Sequence, residues 1–164
     1  MVFFFGMLSN NHAQKPQSDN NDFNTELDRL LSYSVPLMSV DELNKKLGSV
    51  KIFDTREQNE YTVSHLPGAE HVGFLAFKKK DFKTMDKDEP IVLYCSVGYR
   101  SEKIGEKLQK MGFTNVFNLY GSIFEWANKG YPIENSDKKE VQEVHTYNKK
   151  WSQWVTNPDV KKTW

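Results

Sequence analysis

The sequence predicts an α/β domain: a central parallel sheet of about five strands with helices on both faces. Three observations point there. Short apolar runs of strand length alternate with amphipathic helical stretches at short spacing, the pattern of a parallel sheet covered on both sides. The run Ile91-Val92-Leu93-Tyr94 is apolar at every position, as a buried strand requires. Helix boundary signals fall between such runs: Ser39 stands three residues before Glu42, and glycines stand at 48, 112 and 130.

Residues 1–21 form an N-terminal tail. Its apolar run over 2–8, followed by polar residues to Ala13 and Gln14, admits two readings. It is the back half of a secretory signal cleaved after Ala13, making the protein exported (periplasmic), or it is an apolar tail on a cytoplasmic protein. The run is too short to span a bilayer, and no later segment is long enough, so no stable membrane span is expected. Residues 15–21, polar and containing Pro16, have the composition of a linker.

The domain proper is expected over residues 22–133. A helix over 22–34 carries Phe23, Leu27, Leu30 and Leu31 as its apolar stripe and ends before Pro36. A capping box at Ser39 and Glu42 opens a second helix that buries Leu43 and Leu47 and stops at Gly48. A strand over 50–53 ends in Asp54. A short helix over 57–63, a turn at 65–69 and a brief strand over 70–72 follow. The charged stretch 78–89 is a helical turn with a loop. After the 91–94 strand come a helix over 101–111, a strand over 116–119 and a helix over 122–128, which Gly130 and Pro132 terminate. Residues 134–164 are a C-terminal extension. Trp151, Trp154 and Val155 fall there at helical spacing, which predicts an amphipathic helix docked on the domain; the alternative is an exposed aromatic patch for a partner.

Charge and cysteine content narrow the chemistry. The chain carries 22 Lys and Arg against 22 Asp and Glu, so no global field recruits nucleic acid or an anionic membrane. The single cysteine excludes an intrachain disulfide, a cysteine zinc cluster and an internal resolving thiol. A partner must therefore complete any covalent reaction begun at Cys95.

Cys95 sits where a thiol would be activated. It closes a buried strand, the loop Ser96-Val97-Gly98-Tyr99 follows, and Arg100-Ser101 opens a helix. A thiol facing the free N–H groups of a helix start sees positive potential, which favours the nucleophilic thiolate. Lowering its pKa from about 8.5 to about 6.5 would raise the ionised fraction at neutral pH from roughly 3 % to roughly 75 %. Gly98 permits a positive φ, and Ser101 is placed to cap the helix. Asp54 ends a neighbouring strand, so both residues fall where parallel sheets collect their ligands.

Several motifs in order resemble one family: Asp54-Thr55-Arg56-Glu57 with Glu60-Tyr61, His65-Leu66-Pro67-Gly68-Ala69, Cys95-Ser96-Val97-Gly98-Tyr99-Arg100-Ser101, then Gly121 and Trp126. Over residues 35–133 the chain resembles a single-domain rhodanese (thiosulfate sulfurtransferase-like) protein. The resemblance implies a three-layer rhodanese-like domain and a sulfur relay. A donor such as thiosulfate or a persulfide passes a sulfane sulfur to Cys95, and cyanide or a thiol, including a protein thiol, removes it. It implies no metal and no organic cofactor. Two departures are local, Ser64 and Ser122 at positions where the family often has glycine; a third is the lack of a basic residue at Ser96 and Val97.

The residues themselves refine that reading. Main-chain N–H groups from Ser96 to Ser101, curled around one centre, make an anion-binding nest able to hold a persulfide. Cys95 and Arg100 enclose four residues, one fewer than the C-x5-R ring of cysteine phosphatases, so the cradle suits a sulfur atom better than a phosphoryl group. Asp54 is expected to be buried and to support the loop through Arg100 or nearby amides. Arg56 is expected to tie down Glu57 or Glu60. His65 should pin its turn through a backbone hydrogen bond, since the histidines lack metal-ligand spacing. Tyr99 should close over the pocket. The alternative to an enzyme is a binding or sensing module that keeps this fold without efficient turnover.

Overall fold

The computed structural model describes residues 14–164, and the signal-sequence reading of residues 1–13 lies outside them. In chain order the main elements are α1 (Asn21–Leu30), β1 (Leu37–Met38), α2 (Val40–Lys45), β2 (Lys51–Asp54), α3 (Gln58–Val63), β3 (Glu70–His71), β4 (Ile91–Tyr94), α4 (Tyr99–Lys110), β5 (Val116–Leu119) and α5 (Ser122–Asn128). The five strands form one sheet in the order β1-β5-β4-β2-β3, and every pairing is parallel.

β4 is central because each of its side chains meets an apolar layer. Val92 and Tyr94 face one layer with Phe23 and Leu27 of α1, Leu43 of α2 and Ile123 and Phe124 of α5. Ile91 and Leu93 face the other with Ile104 and Leu108 of α4, Phe82 and Phe113. Period-two alternation along the strand thus serves two cores. Each such buried side chain contributes about 1.5–3 kcal/mol.

Local chemistry explains where the elements depart from expectation. α1 stops at Leu30, short of residue 34, because the buried carboxylate of Glu102 on α4 accepts the N–H groups of Ser32 and Ser34, each at 3.0 Å. Those bonds hold the chain in a non-helical turn before Pro36, with Tyr33 at a φ of 55°. The sequence pattern had no strand at 37–38; β1 forms because the Asn118 and Tyr120 N–H groups reach the Pro36 and Met38 carbonyls at 2.8 and 2.9 Å. Ser39 does cap α2, accepting the Glu42 N–H at 3.1 Å, but Glu42 turns to Lys46 at 2.7 Å instead of reaching back. The charged stretch 78–89 contains one 3-10 turn, Lys79–Phe82.

The extension is strand-rich and carries no α-helix. β6 (Ile133–Glu134) pairs antiparallel with β7 (Glu140–Val141), and β8 (Glu143–His145) pairs parallel with β9 (Lys161–Thr163). The tryptophans expected on an amphipathic helix occupy a single 3-10 turn, Trp151–Trp154. Asn128 explains the brevity: its Oδ1 accepts the Thr156 N–H at 2.7 Å and its Nδ2 donates to Trp154 O at 2.8 Å, turning the chain back. The turn does dock, with Trp154 stacked on Phe23 at 5.4 Å between centroids. At the other end Ser18 is buried and its hydroxyl donates to Glu125 at 2.6 Å, which pins the stretch read as a linker to the domain at that residue. No helix among the described residues is long and apolar enough to cross a membrane.

Candidate active site

The Cys95 peptide is fixed before its sulfur is considered. Its N–H donates to Ser122 Oγ at 3.1 Å, and its carbonyl accepts the Ile123 N–H at 3.3 Å. Ser122 holds a φ of 52°, a conformation glycine adopts more easily, and its hydroxyl supplies a partner glycine could not. Ser64 needs no such freedom: its φ of −166° is ordinary extended backbone.

The loop then turns at Gly98, whose φ of 118° few other residues tolerate, and Gly98 rather than Ser101 is the N-cap of α4. This corrects the expected cap. Ser101 lies inside the first turn, fully buried, its hydroxyl donating to Asn118 Oδ1 at 2.7 Å. Asn118 Nδ2 in turn donates to the Gly98 carbonyl at 3.0 Å. One buried amide on β5 therefore braces both ends of the turn.

The turn brings main-chain hydrogen to the sulfur. The Gly98 N–H donates to Cys95 Sγ at 3.1 Å. Burial is the largest influence on the thiol and pushes its pKa up. The Arg100 charge, the Ser101 and Gly98 N–H groups and the Ser101 hydroxyl push it down and outweigh burial, so the thiol titrates below its ordinary value.

Two arginines have exchanged their expected partners. Arg56, fully buried, donates to Asp54 through Nε at 3.0 Å and Nη2 at 2.6 Å, and Nη2 also reaches Ser64 O at 2.6 Å. Burial works against its charge, but the Asp54 carboxylate holds its pKa up. Arg100 forks onto Glu60 at 2.6 and 2.8 Å and touches Ser96 Oγ at 3.0 Å. Burial pushes the Glu60 carboxyl up, and Arg100 with the Glu57 N–H and the Arg56 charge more than reverses it. Asp54 thus makes no hydrogen bond to Arg100 or the loop, and Glu60, quoted in the family pattern and expected to meet Arg56, clamps the loop instead. Its place in the motif marked Glu60 but not its partner; pairing by distance in the fold, not by spacing, decides such contacts.

Cys95 is 1 % exposed and forms the floor of a cavity of about 400 Å³. Ser96, Val97 and Arg100 adjoin it on the loop side. Tyr99 lines the cavity and is exposed. Leu30 and Leu75 contribute walls, and Tyr147 and Trp151 arrive from the extension. Away from the cavity, the His65 imidazole meets Tyr61 O at 3.0 Å and so ties down its turn. Among the described residues no group of three or more His, Cys, Asp or Glu side chains could hold a metal ion.

Comparison with known proteins agrees with this architecture. The profile of the Rhodanese-like domain family matches residues 39–129. The thiosulfate sulfurtransferase GlpE of Coxiella burnetii is 31 % identical over 97 residues, 59 % of this chain and 88 % of its own. The candidate sulfur carrier protein YrkF of Bacillus subtilis is 31 % identical over 99 residues, 58 % of this chain, which spans only 53 % of YrkF. A crystal structure of a rhodanese-like domain protein from Staphylococcus aureus superposes with a TM-score of 0.54 at 26 % identity, covering 62 % of this chain and 98 % of that one.

Proposed function

The chain belongs to the rhodanese-like domain family, and we propose that within it this protein is a sulfurtransferase working through a Cys95 persulfide. The observation that carries the reading is the Cys95 sulfur, held under the Gly98 N–H at the start of α4 with its pKa lowered. A sulfurtransferase among the relatives supports it.

In the first step the Cys95 thiolate attacks the sulfane sulfur of a donor X–S⁻. A Cys95 S–S bond forms, the X–S bond breaks, and X leaves with the electron pair. In the second step cyanide or a thiolate attacks the outer sulfur, yielding thiocyanate or a new persulfide and returning the Cys95 thiolate. No oxidant, metal or organic cofactor enters the balance. The first-turn N–H groups of a helix lack intrahelical carbonyls, so those of Tyr99 and Arg100 are available to the outer sulfur beside the Gly98 and Ser101 donors. Asp54 and Arg56 act as structural support of the strand end, and Glu60 with Ser96 fixes Arg100 and hence the loop. The partners are a small sulfur donor and a cyanide or thiol acceptor, a protein thiol included.

Intact mass spectrometry tests the reading. Incubation with a sulfane donor adds one sulfur atom to the wild-type chain, cyanide removes it as thiocyanate, and Cys95→Ser does neither. A donor panel that leaves Cys95 unmodified from pH 6 to 9 refutes it.

A further inference from the structure

The cavity above Cys95 is unlike one built for a small inorganic dianion. Its charged lining side chains are Glu57 and Arg100, and Arg100 is already forked onto Glu60. Glu57 offers negative charge and accepts the Leu75 N–H at 3.3 Å. Nearby Lys103, over the Tyr99 ring, is paired with Glu106 at 2.7 Å. A dianion would find the loop amides and no uncommitted cation on the walls.

Apolar surface, by contrast, converges there. Leu30, Phe74, Leu75, Tyr99, Tyr147 and Trp151 line the cavity. Of the four large hydrophobic residues exposed among the described residues, Leu75 at 84 %, Tyr147 at 56 % and Tyr99 at 43 % all face this one site, leaving only Trp164 elsewhere. Exposed apolar groups gathered at one concave place mark a ligand surface. The Arg100 guanidinium lies 5.5 Å from the Tyr147 ring centroid, which ties the extension to the loop. Leu30, Tyr147 and Trp151 lie outside residues 39–129, so this part of the wall is an addition to the family's own segment.

Resting on the sulfur-transfer reading above, we propose that the donor is an organic sulfane compound with an apolar, uncharged body, of the persulfide or thiosulfonate class. Leu30, Leu75, Tyr147 and Trp151 are the specificity residues. For a thiosulfonate R–SO2–S⁻ the Cys95 thiolate bonds to the terminal sulfur, the S–S bond to the sulfonyl group breaks, and the electron pair departs on the sulfinate R–SO2⁻. For a persulfide R–S–S⁻ it departs on the thiolate R–S⁻. Charge and oxidation state balance in both.

Three probe donors sharing one reaction separate the apolar body from the chemistry: thiosulfate, methanethiosulfonate and benzenethiosulfonate. Each is assayed with cyanide as acceptor on the full chain, reading thiocyanate and the intact mass of Cys95. The wild-type kcat/KM for benzenethiosulfonate exceeds that for methanethiosulfonate and for thiosulfate by at least about tenfold. Tyr147→Ala combined with Trp151→Ala brings the benzene-to-methane ratio towards one. Leu75→Ser, at a side chain too exposed to matter for folding, lowers the same ratio and carries the test should the double variant fail to fold. A persulfide that forms with a wild-type ratio near one, or a ratio that Leu75→Ser leaves unmoved, overturns the donor class while the sulfur-transfer reading stands. No persulfide from any of the three donors overturns both.

Discussion

The Arg100 guanidinium is forked onto the Glu60 carboxylate at 2.6 and 2.8 Å, so the loop's one cation is spent on architecture before any substrate arrives. It still acts on the sulfur through its field, and that makes the pair testable. Glu60→Gln leaves a largely buried guanidinium without its counter-charge and costs about 3 kcal/mol of stability. With its charge no longer offset, Arg100 lowers the thiol pKa further. Arg100→Met moves the thiol the other way. Iodoacetamide alkylation rates against pH read both shifts, and an Arg100→Met midpoint equal to wild type would falsify the role given to this charge.

The lowered Cys95 pKa also makes stability depend on pH with a defined sign. Below the folded thiol's own pKa both states hold the proton, and the contribution is absent. Between that value and about 8.5 only the unfolded chain holds it, so stability rises with pH; above about 8.5 the contribution is complete. Urea unfolding under reducing conditions should therefore show the wild type gaining on Cys95→Ala as pH climbs through that window. A gap that narrows with rising pH contradicts the ionised sulfur.

Asp54 and Arg56 are both fully buried and paired, leaving Arg56 Nη1 without a hydrogen-bond partner among the described residues. Asp54→Ala strands a guanidinium in the core and costs about 3–5 kcal/mol. Replacing both, as Asp54→Leu with Arg56→Met, costs much less than the two single changes added together, because neither charge is then left alone. Denaturant midpoints of the two single variants and the double variant decide it; simple additivity is the adverse result.

Gly98→Ala puts a side chain where φ is 118°. The added Cβ would lie 3.4 Å from Leu31 and 3.5 Å from Asn118, ordinary contacts, so the cost is conformational, at least about 1–2 kcal/mol. Relaxation of the turn rotates the Gly98 N–H off the sulfur and raises the thiol pKa. A variant that is destabilised but alkylated with the wild-type pH profile would mean that this amide does not tune Cys95.

The fold was legible where a residue's neighbours in sequence determine its structure. The all-apolar run 91–94, the Ser39 cap and the alternation of strand and helix depend on local pattern, and the parallel sheet, β1 apart, follows from them. Elements set by distant partners were not legible. α1 ends where Glu102, some 70 residues onward, takes the N–H groups of Ser32 and Ser34. β1 exists only as an addition to β5, and the tryptophan turn is short because Asn128 folds the chain back.

The site shows the same division. The strand, cysteine, loop and helix are consecutive, so their arrangement could be read from order alone. The partners of the charged residues could not, because Asp54, Arg56, Glu60 and Arg100 allow two pairings that only the fold distinguishes. Ser101 looked like a cap because hydroxyls favour helix starts; the open φ of Gly98 moved the helix start forward. Ser122, a local departure from glycine in the sequence, proves to hold the Cys95 N–H.

The donors that reach the sulfur most directly belong to the peptide chain itself. What ripens this thiol is the Arg100 charge together with the loop's own N–H groups, while Leu30, Leu75, Tyr147 and Trp151 reach the cavity from other parts of the chain. Reactivity and substrate choice are therefore written in separate places, and a lineage could rewrite the second, residue by residue, without erasing the first.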